Sequence, residues 1–272
     1  MARSLVGLSR LLKVNGGAKI LCSCRRLRFA SSLTPQEAGR QAEAMARSSS
    51  AHNKKDKSSS FPALSSIAAH AGIDSVPNAP MAPPIHLATT YTRPADSQYL
   101  ENDSTYCRQD NPTRLLLEKT VGQLETHGMT IPEDQDVICC AFSSGMMAVS
   151  SIILAHSSPV TVILPEDLYH GVPTVIHEVF QRHNVTILQV DMRYPENIVR
   201  ALESIGDGNE DSLSMDVIVW VETPSNPKCH VVDIGKVCNV VKSSSMRDKA
   251  TVVVDSTLAP PVITQPLAVS FS

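Results

Sequence analysis

Asp255 ends an apolar run at residues 251–254, and a loop with two prolines follows it. An unbroken apolar run that ends in a carboxylate is typical of a buried parallel strand that delivers a functional group. A carboxylate in that place is partly desolvated and needs a cationic partner. Because no Lys or Arg follows Asp255 in the sequence, we expect a ligand to supply the cation. The alternative interpretation is that Asp255 caps the following turn.

Two further groups of residues are suited to binding an anion. Residues 143–146, Ser-Ser-Gly-Met, precede an apolar helix, which places the N–H groups of Gly145 and Met146 at a positive helix terminus suited to phosphate. The pattern is neither a P-loop nor the GxGxxG turn of dinucleotide-binding proteins. Tyr106 and Arg108 lie on a loop before a helix that Pro112 opens, and their spacing directs both side chains toward one anion. The alternative is a solvated Arg108 beside a half-buried Tyr106.

The elements that must position these groups are visible as five short apolar runs separated by segments of helix length. The runs are residues 137–142, 160–164, 185–190, 217–221 and 252–254. This alternation predicts an α/β fold, a mostly parallel sheet with flanking helices. Residues 143–146, Tyr169, residues 222–226 and Asp255 follow the carboxyl ends of these runs, the edge where open α/β sheets bind ligands.

Composition excludes several other classes of function. Hydrophobic residues make up 42% of the 272 residues and charged residues 19%, which predicts a folded core. The net charge of −3 gives no basic field for nucleic acid, and no apolar run approaches the roughly 20 residues of a membrane-spanning helix. We therefore expect neither nucleic acid nor a membrane as partner. We also expect no metal site, since the seven cysteines contain no CxxC pair and residue 181, after His177-Glu178, is Gln.

The composition changes along the chain in a way that predicts four parts. Residues 1–35 contain Arg and Lys but no acidic residue, the pattern of a removable organelle transit peptide, mitochondrial or alternatively plastid. Residues 36–60 are rich in Ser, Ala and Lys and predict a disordered linker. Residues 61–110 are dense in proline and predict an extended N-terminal arm that packs on a partner subunit. Residues 111–272 contain the apolar runs and predict a large domain.

Taken together, six blocks of sequence resemble the pyridoxal-phosphate enzymes of cysteine and methionine metabolism, the cystathionine γ-synthase and cystathionine lyase family. The blocks are residues 82–91, residues 106–108 with 111–114, residues 144–146, residues 167–171, residues 222–227 with 232–234, and residues 254–267. The resemblance implies an aspartate-aminotransferase-like large domain of fold type I, incomplete at the C-terminus, with pyridoxal 5′-phosphate as cofactor.

The resemblance also implies a role for each candidate residue. Asp255 would pair with the pyridine nitrogen and keep it protonated, so that the ring acts as an electron sink. Tyr169 would stack on the ring and stand near the proton transfers, which makes it the candidate catalytic residue. Asn226 would lie near the 3′ oxygen of the ring, and the N–H groups of Gly145 and Met146 would hold the phosphate.

Tyr106 and Arg108 would reach into the site of a neighbouring subunit, so the resemblance implies a homo-oligomer, a dimer or a tetramer. The implied activity is γ-replacement on an activated homoserine by cysteine, which forms cystathionine from small amino-acid substrates. A cystathionine β- or γ-lyase is the close alternative. The sequence departs from the family because no lysine follows Lys249, whereas the Schiff-base lysine of the family follows the Asp. We therefore expect a fragment, and the remaining alternatives are a non-catalytic truncated subunit or an incomplete gene model.

Overall fold

The computed structural model of the chain describes residues 63–73, 80–92, 104–130, 137–156, 159–206 and 215–271. The predicted transit peptide and linker lie outside these ranges. Within the predicted arm, residues Leu64–Ala69 form helix α1, and Thr90 pairs with Tyr106 in an isolated antiparallel bridge. The boundaries of the four predicted parts remain predictions.

Four of the five apolar runs form one parallel sheet. Its strands are β1 (Val160–Pro165), β2 (Val185–Val190), β3 (Asp216–Glu222) and β4 (Ala250–Asp255). Their spatial order is β2-β1-β3-β4, and every pairing is parallel. The register sets Glu222 opposite Asp255, so the carboxyl ends of β3 and β4 present two neighbouring acidic residues. These strands confirm the predicted α/β class and its mostly parallel sheet.

Helices connect and cover the strands. They are α2 (Pro112–Glu125), α3 (Gly145–Leu154), α4 (Gly171–Val175), α5 (Pro195–Gly206), α6 (Ile234–Ser243) and α7 (Pro266–Phe271). A π-helical turn (Ile176–Phe180) and a 3₁₀ turn (Gln181–His183) continue α4 toward β2. Within the described ranges, no helix combines the length and the apolar character that a membrane crossing requires.

The alternation of side chains along each strand builds a separate core on each face of the sheet. On one face, Val219 and Val221 pack with Leu202 of α5 and Val237 of α6. On the other, which we call the Trp220 face, the strand residues pack with α3 and α4. This core contains Val162, Leu164, Ile218, Trp220 and Val253 from the strands, with Val149, Ile153 and Val172 from the helices. Glu222 and Asp255 follow the same alternation, so both face this side at the carboxyl edge.

The prediction of a strand at residues 137–142 is wrong. The segment is apolar enough, but a strand exists only where its backbone pairs with a neighbour, and the sheet within the described residues includes no ladder to it. Its Ala141 N–H donates instead to Oε1 of Glu118 on α2, at 2.9 Å. Phe142, the last residue of the run, is 44% exposed. The segment therefore leads into α3 without joining the sheet.

Helix α2 begins at Pro112, as the sequence predicts, and the structure shows Asn111 as its N-cap. The Asn111 side-chain oxygen accepts the N–H groups of Thr113 at 3.0 Å and Arg114 at 3.4 Å. At the other end, the Gln265 side chain donates to the carbonyl of Leu124 at 2.7 Å. Helix α2 thus anchors the loop that follows Asp255.

Alanine substitutions at two glycines near the end of α2 should change stability in opposite directions. Gly122 lies within α2, and an added Cβ would meet only Cys139 Cβ, at 3.6 Å. Gly122→Ala should therefore raise the free energy of unfolding by about 1 kcal/mol, the difference in helix propensity. Gly128 has a φ of +78° with open space around it, so Gly128→Ala should lower stability by about 1 kcal/mol through backbone strain alone. Urea unfolding midpoints measure both, and equal signs for the two variants would contradict the prediction.

Candidate functional site

Asp255 lies at the carboxyl end of β4 and is partly buried. Its Oδ1 accepts the N–H of Thr257 at 3.0 Å and the Thr257 hydroxyl at 2.5 Å. The turn-capping alternative is therefore present in the structure, but it engages one carboxylate oxygen. Oδ2 makes no hydrogen bond or ion pair within the described part of the chain, so this oxygen is available to a cationic ligand.

Glu222 lies beside Asp255, and its side chain binds the backbone of two other candidate residues. Its carboxylate accepts the N–H of Tyr169, with distances of 3.0 Å to Oε1 and 2.9 Å to Oε2. Oε1 also accepts the N–H of Asn226, at 2.7 Å. Glu222 is 4% exposed, whereas the side chains of Tyr169 and Asn226 are exposed at the edge of the sheet. One buried carboxylate therefore joins the loops after β1 and β3 next to Asp255.

Glu222 is a buried carboxylate with two other carboxylates nearby. Burial raises its pKa above the ordinary value, and the N–H groups of Tyr169 and Asn226 oppose that rise by stabilising the charged form. The nearby carboxylates of Asp255 and Asp167 raise the pKa further. Three acidic side chains thus lie at one edge of the sheet, and a bound cation would lower the repulsion among them.

The position of the Tyr169 ring depends on Gly171. A Cβ added to Gly171 would lie 2.4 Å from Cε1 of the Tyr169 ring, so the ring occupies the space that a side chain at residue 171 would need. The ring also lies 4.8 Å from the His170 ring, between centroids, and the tyrosine is 39% exposed. Tyr169 therefore presents an accessible aromatic ring at the carboxyl edge, as a stacking role requires.

The start of α3 has the form predicted for a phosphate site. Ser144 is the N-cap, and its hydroxyl accepts the N–H of Met147 at 3.2 Å. The N–H groups of Gly145 and Met146 precede the first helical hydrogen bonds and have no partner within the described residues. An added Cβ at Gly145 would meet nothing within 4 Å, so open space faces this turn. Since α3 packs on the Trp220 face, these donors fit a phosphate group on the same side of the sheet as Asp255.

Tyr106 and Arg108 lie together on the loop before α2. The Arg108 guanidinium carbon is 5.0 Å from the centroid of the Tyr106 ring, a cation–π contact. Both residues are exposed. Arg114 supports the loop by donating to the carbonyl of Cys107 at 3.2 Å and to that of Gln109. The two side chains therefore point the same way, as their spacing predicts, and their contact with a partner subunit remains a prediction.

A second cluster at this edge was not predicted from the sequence. Asp167 Oδ2 accepts the Ser225 hydroxyl and lies 3.6 Å from His230 Nδ1. The N–H of His230 donates to Ser225 Oγ at 2.9 Å. These contacts line a small pocket that Glu222 also borders, and they fix the loop that carries Asn226. The cluster does not stand out in the sequence, because the contacts of Asp167 with Ser225 and His230 join residues more than fifty positions apart.

We expect Gly171→Ala to lower cofactor affinity while changing stability little. The new Cβ must displace the Tyr169 ring, which can move because it is exposed. The resemblance assigns the ring a stacking role, and on that assignment its displacement should weaken pyridoxal-phosphate binding by about threefold to tenfold, the equivalent of one aromatic contact. Urea stability should change by less than about 1 kcal/mol, because Ala is a better helix former than Gly at the start of α4. Unchanged affinity in the variant would show that the Tyr169 ring makes no contact with the cofactor.

Sequence and structure comparisons agree on one family. The profile of the family described as Cys/Met metabolism PLP-dependent enzyme matches residues 65–271. A putative cystathionine gamma-lyase of Streptomyces coelicolor is 30% identical over 82% of this chain and 51% of the relative. A cystathionine gamma-synthase of Mycobacterium leprae is 30% identical over 68% of this chain and 42% of the relative.

The fold comparison gives the same result. The crystal structure of the cystathionine gamma-lyase CalE6 from Micromonospora echinospora superposes with a TM-score of 0.60 and 31% identity. The superposition covers 77% of this chain and 49% of that structure. The chain thus spans about half the length of these relatives, and the aspartate-aminotransferase-like, fold type I class expected from the sequence is confirmed. The cofactor of this family is pyridoxal phosphate, and the chain belongs to the Cys/Met metabolism family of pyridoxal-phosphate-dependent enzymes.

Proposed function

We propose that this chain forms the cofactor-binding part of a pyridoxal-phosphate-dependent transsulfuration enzyme. The observation that carries the proposal is the arrangement at the carboxyl edge, where Asp255 lies in register with Glu222 and Glu222 binds the backbone of Tyr169 and Asn226. When bound, pyridoxal phosphate supplies an electron sink for carbanions formed on an amino-acid substrate.

In this proposal each residue acts by a noncovalent contact. Asp255 holds a proton on the ring nitrogen through its free Oδ2, and Tyr169 covers one face of the ring. Asn226 orients the 3′ oxygen of the ring, and the N–H groups of Gly145 and Met146 bind the phosphate. Saturable quenching of Trp220, the one tryptophan in the sequence, during titration with pyridoxal phosphate tests this proposal. The absence of saturable binding by the folded chain would contradict it.

We also propose that the residues of this chain do not bind the cofactor covalently at this site. Every lysine in the sequence precedes Asp255, and the last is Lys249. Lys249 precedes β4, at the amino end of the strand, opposite to the end where Asp255 lies. Borohydride reduction of the complex followed by peptide mapping should therefore find no lysine labelled stoichiometrically. Stoichiometric labelling of one lysine would contradict this part of the proposal.

Among the activities of the family, we propose a cystathionine γ-synthase-like reaction, with an activated homoserine and cysteine as substrates. The similarity to the Mycobacterium leprae synthase supports it. The Streptomyces coelicolor protein has the same identity over a larger share of this chain and supports a γ-lyase. Assays of cystathionine formation and of cystathionine cleavage, made on the protein together with any subunit that co-purifies, distinguish the two. Cleavage without formation would favour the lyase.

The exposed pair of Tyr106 and Arg108 completes the proposal. We propose that it binds the cofactor phosphate of a second subunit, since a guanidinium and a hydroxyl on one side of a loop suit that group. Size-exclusion chromatography with light scattering measures the assembly that this contact requires. A monomer that binds the cofactor as tightly after Arg108→Ala would contradict the role.

A further inference from the structure

Glu222 is buried beside the carboxylates of Asp255 and Asp167. It is 4% exposed, and within the described residues no Lys, Arg or His forms an ion pair with it. A buried carboxylate in this situation costs free energy, and the hydrogen bonds from two N–H groups offset only part of that cost. An apolar residue, such as those that precede it along β3, would avoid the cost. We therefore expect the carboxylate at this position to have a role in holding the backbone groups that it binds.

The Tyr169 backbone has few other constraints at its own position. The ring is 39% exposed, and the two neighbours described above, His170 and Gly171, belong to the same turn of the chain, so these contacts do not tie the ring to β3. The carbonyl of Tyr169 accepts the N–H of Val172 at 3.1 Å, which leaves the N–H side of the residue to Glu222. The loop with Asn226 has additional support from Ser225 and Thr223, which bond to Asp167 and Val232. Glu222 therefore controls Tyr169 more directly than it controls Asn226.

We propose that Glu222 is a positioning residue for the cofactor ring, which sets the Tyr169 ring over the site through its hydrogen bonds to the Tyr169 backbone. The inference rests on the proposed function, because it concerns the same cofactor site. Glu222 itself acts at the backbone of residues 169 and 226 and makes no contact with the ring in this proposal.

Glu222→Gln is the informative substitution, because the amide keeps the shape of the side chain. The Gln oxygen in place of Oε1 can still accept the Asn226 N–H and the longer, 3.0 Å contact from the Tyr169 N–H. The NH₂ group in place of Oε2 faces the Tyr169 N–H with a donor, so the shorter contact is lost. The variant thus disturbs Tyr169 more than Asn226. It also removes one of three like charges, which favours a folded protein. Glu166→Gln is the matched control, since Glu166 is an exposed carboxylate at the end of β1.

A double-mutant cycle between Glu222→Gln and Tyr169→Leu tests the inference, with pyridoxal-phosphate affinity as one readout and urea stability as the other. We expect each single variant to weaken binding by about tenfold, and the double variant by little more than either single one. The effects on stability should add, because the Tyr169 ring is exposed and contributes little to the core. Glu166→Gln should bind as the parent chain does.

The outcomes separate this inference from the proposed function. If the parent chain shows no saturable binding, both are wrong. If the parent chain binds and the two losses multiply to about a hundredfold, or Glu222→Gln binds normally, the positioning role is wrong and the cofactor site stands. Should Glu222→Gln fail to fold, Glu222→Asp enters the same cycle, because the shorter side chain keeps the charge and cannot reach both N–H groups.

Discussion

Asp255→Asn should weaken pyridoxal-phosphate binding by about 10- to 100-fold, the equivalent of about 1.4 to 2.8 kcal/mol. The amide oxygen can still accept both bonds from Thr257, so the turn after β4 remains intact. What the variant loses is the negative charge that, in the proposed site, favours a proton on the ring nitrogen. Quenching of Trp220 during titration with the cofactor measures the affinity.

Asp191→Asn is the matched control for this variant. Asp191 follows β2 at the same edge of the sheet, but its carboxylate pairs with Arg193 at 2.6 Å, and this contact lowers the pKa of Asp191. The ion pair already satisfies the Asp191 carboxylate, so its substitution should leave cofactor affinity unchanged. Equal losses in the two variants would mean that net charge, and not the position of Asp255, governs binding.

Trp220→Ala should lower the free energy of unfolding by about 3 to 5 kcal/mol, the usual effect of truncating a buried aromatic residue. Trp220 is 2% exposed and lies in β3 at the centre of the core between the sheet and the helices α3 and α4. Since domains are stable by only about 5 to 15 kcal/mol, the loss removes a large share of the total. Because α3 carries the turn proposed to bind the phosphate, cofactor affinity should fall with stability, and equilibrium dialysis measures it because this variant has no tryptophan. Far-ultraviolet circular dichroism in urea measures the unfolding.

Trp220→Phe separates volume from hydrogen bonding at the same position. The Trp220 indole N–H is buried and has no partner within the described residues. Phe removes this unsatisfied donor and keeps most of the apolar area, so the loss should stay below about 1.5 kcal/mol. If Trp220→Phe and Trp220→Ala cost the same, the apolar area that Phe keeps does not stabilise this core, which would contradict the prediction.

The apolar runs predict the sheet well because burial on both faces leaves little room for polar residues. All six residues of β1, for example, are buried. The same signal is misleading at residues 137–142, since apolar composition does not reveal whether a neighbouring strand is present. The helix cap at Asn111 is predictable for the opposite reason: its hydrogen bonds reach only to Thr113 and Arg114.

Some residues of the candidate site are also recognisable from the sequence, and others are not. Asp255 and the turn at Gly145 and Met146 are recognisable because each stands directly after an apolar run. Glu222 also follows such a run, so the signal that identifies Asp255 was present, but its role depends on contacts with residue 169, 53 positions away. Gly171 was missed because only the structure shows that the Tyr169 ring fills the space beside it.

A crystal structure of the chain grown with pyridoxal phosphate tests the central claim most directly. The account predicts the phosphate at the N-terminus of α3, the ring against Tyr169 and the ring nitrogen beside the free oxygen of Asp255. Cofactor density bound at another place, or a ring nitrogen that faces no carboxylate, would contradict the account.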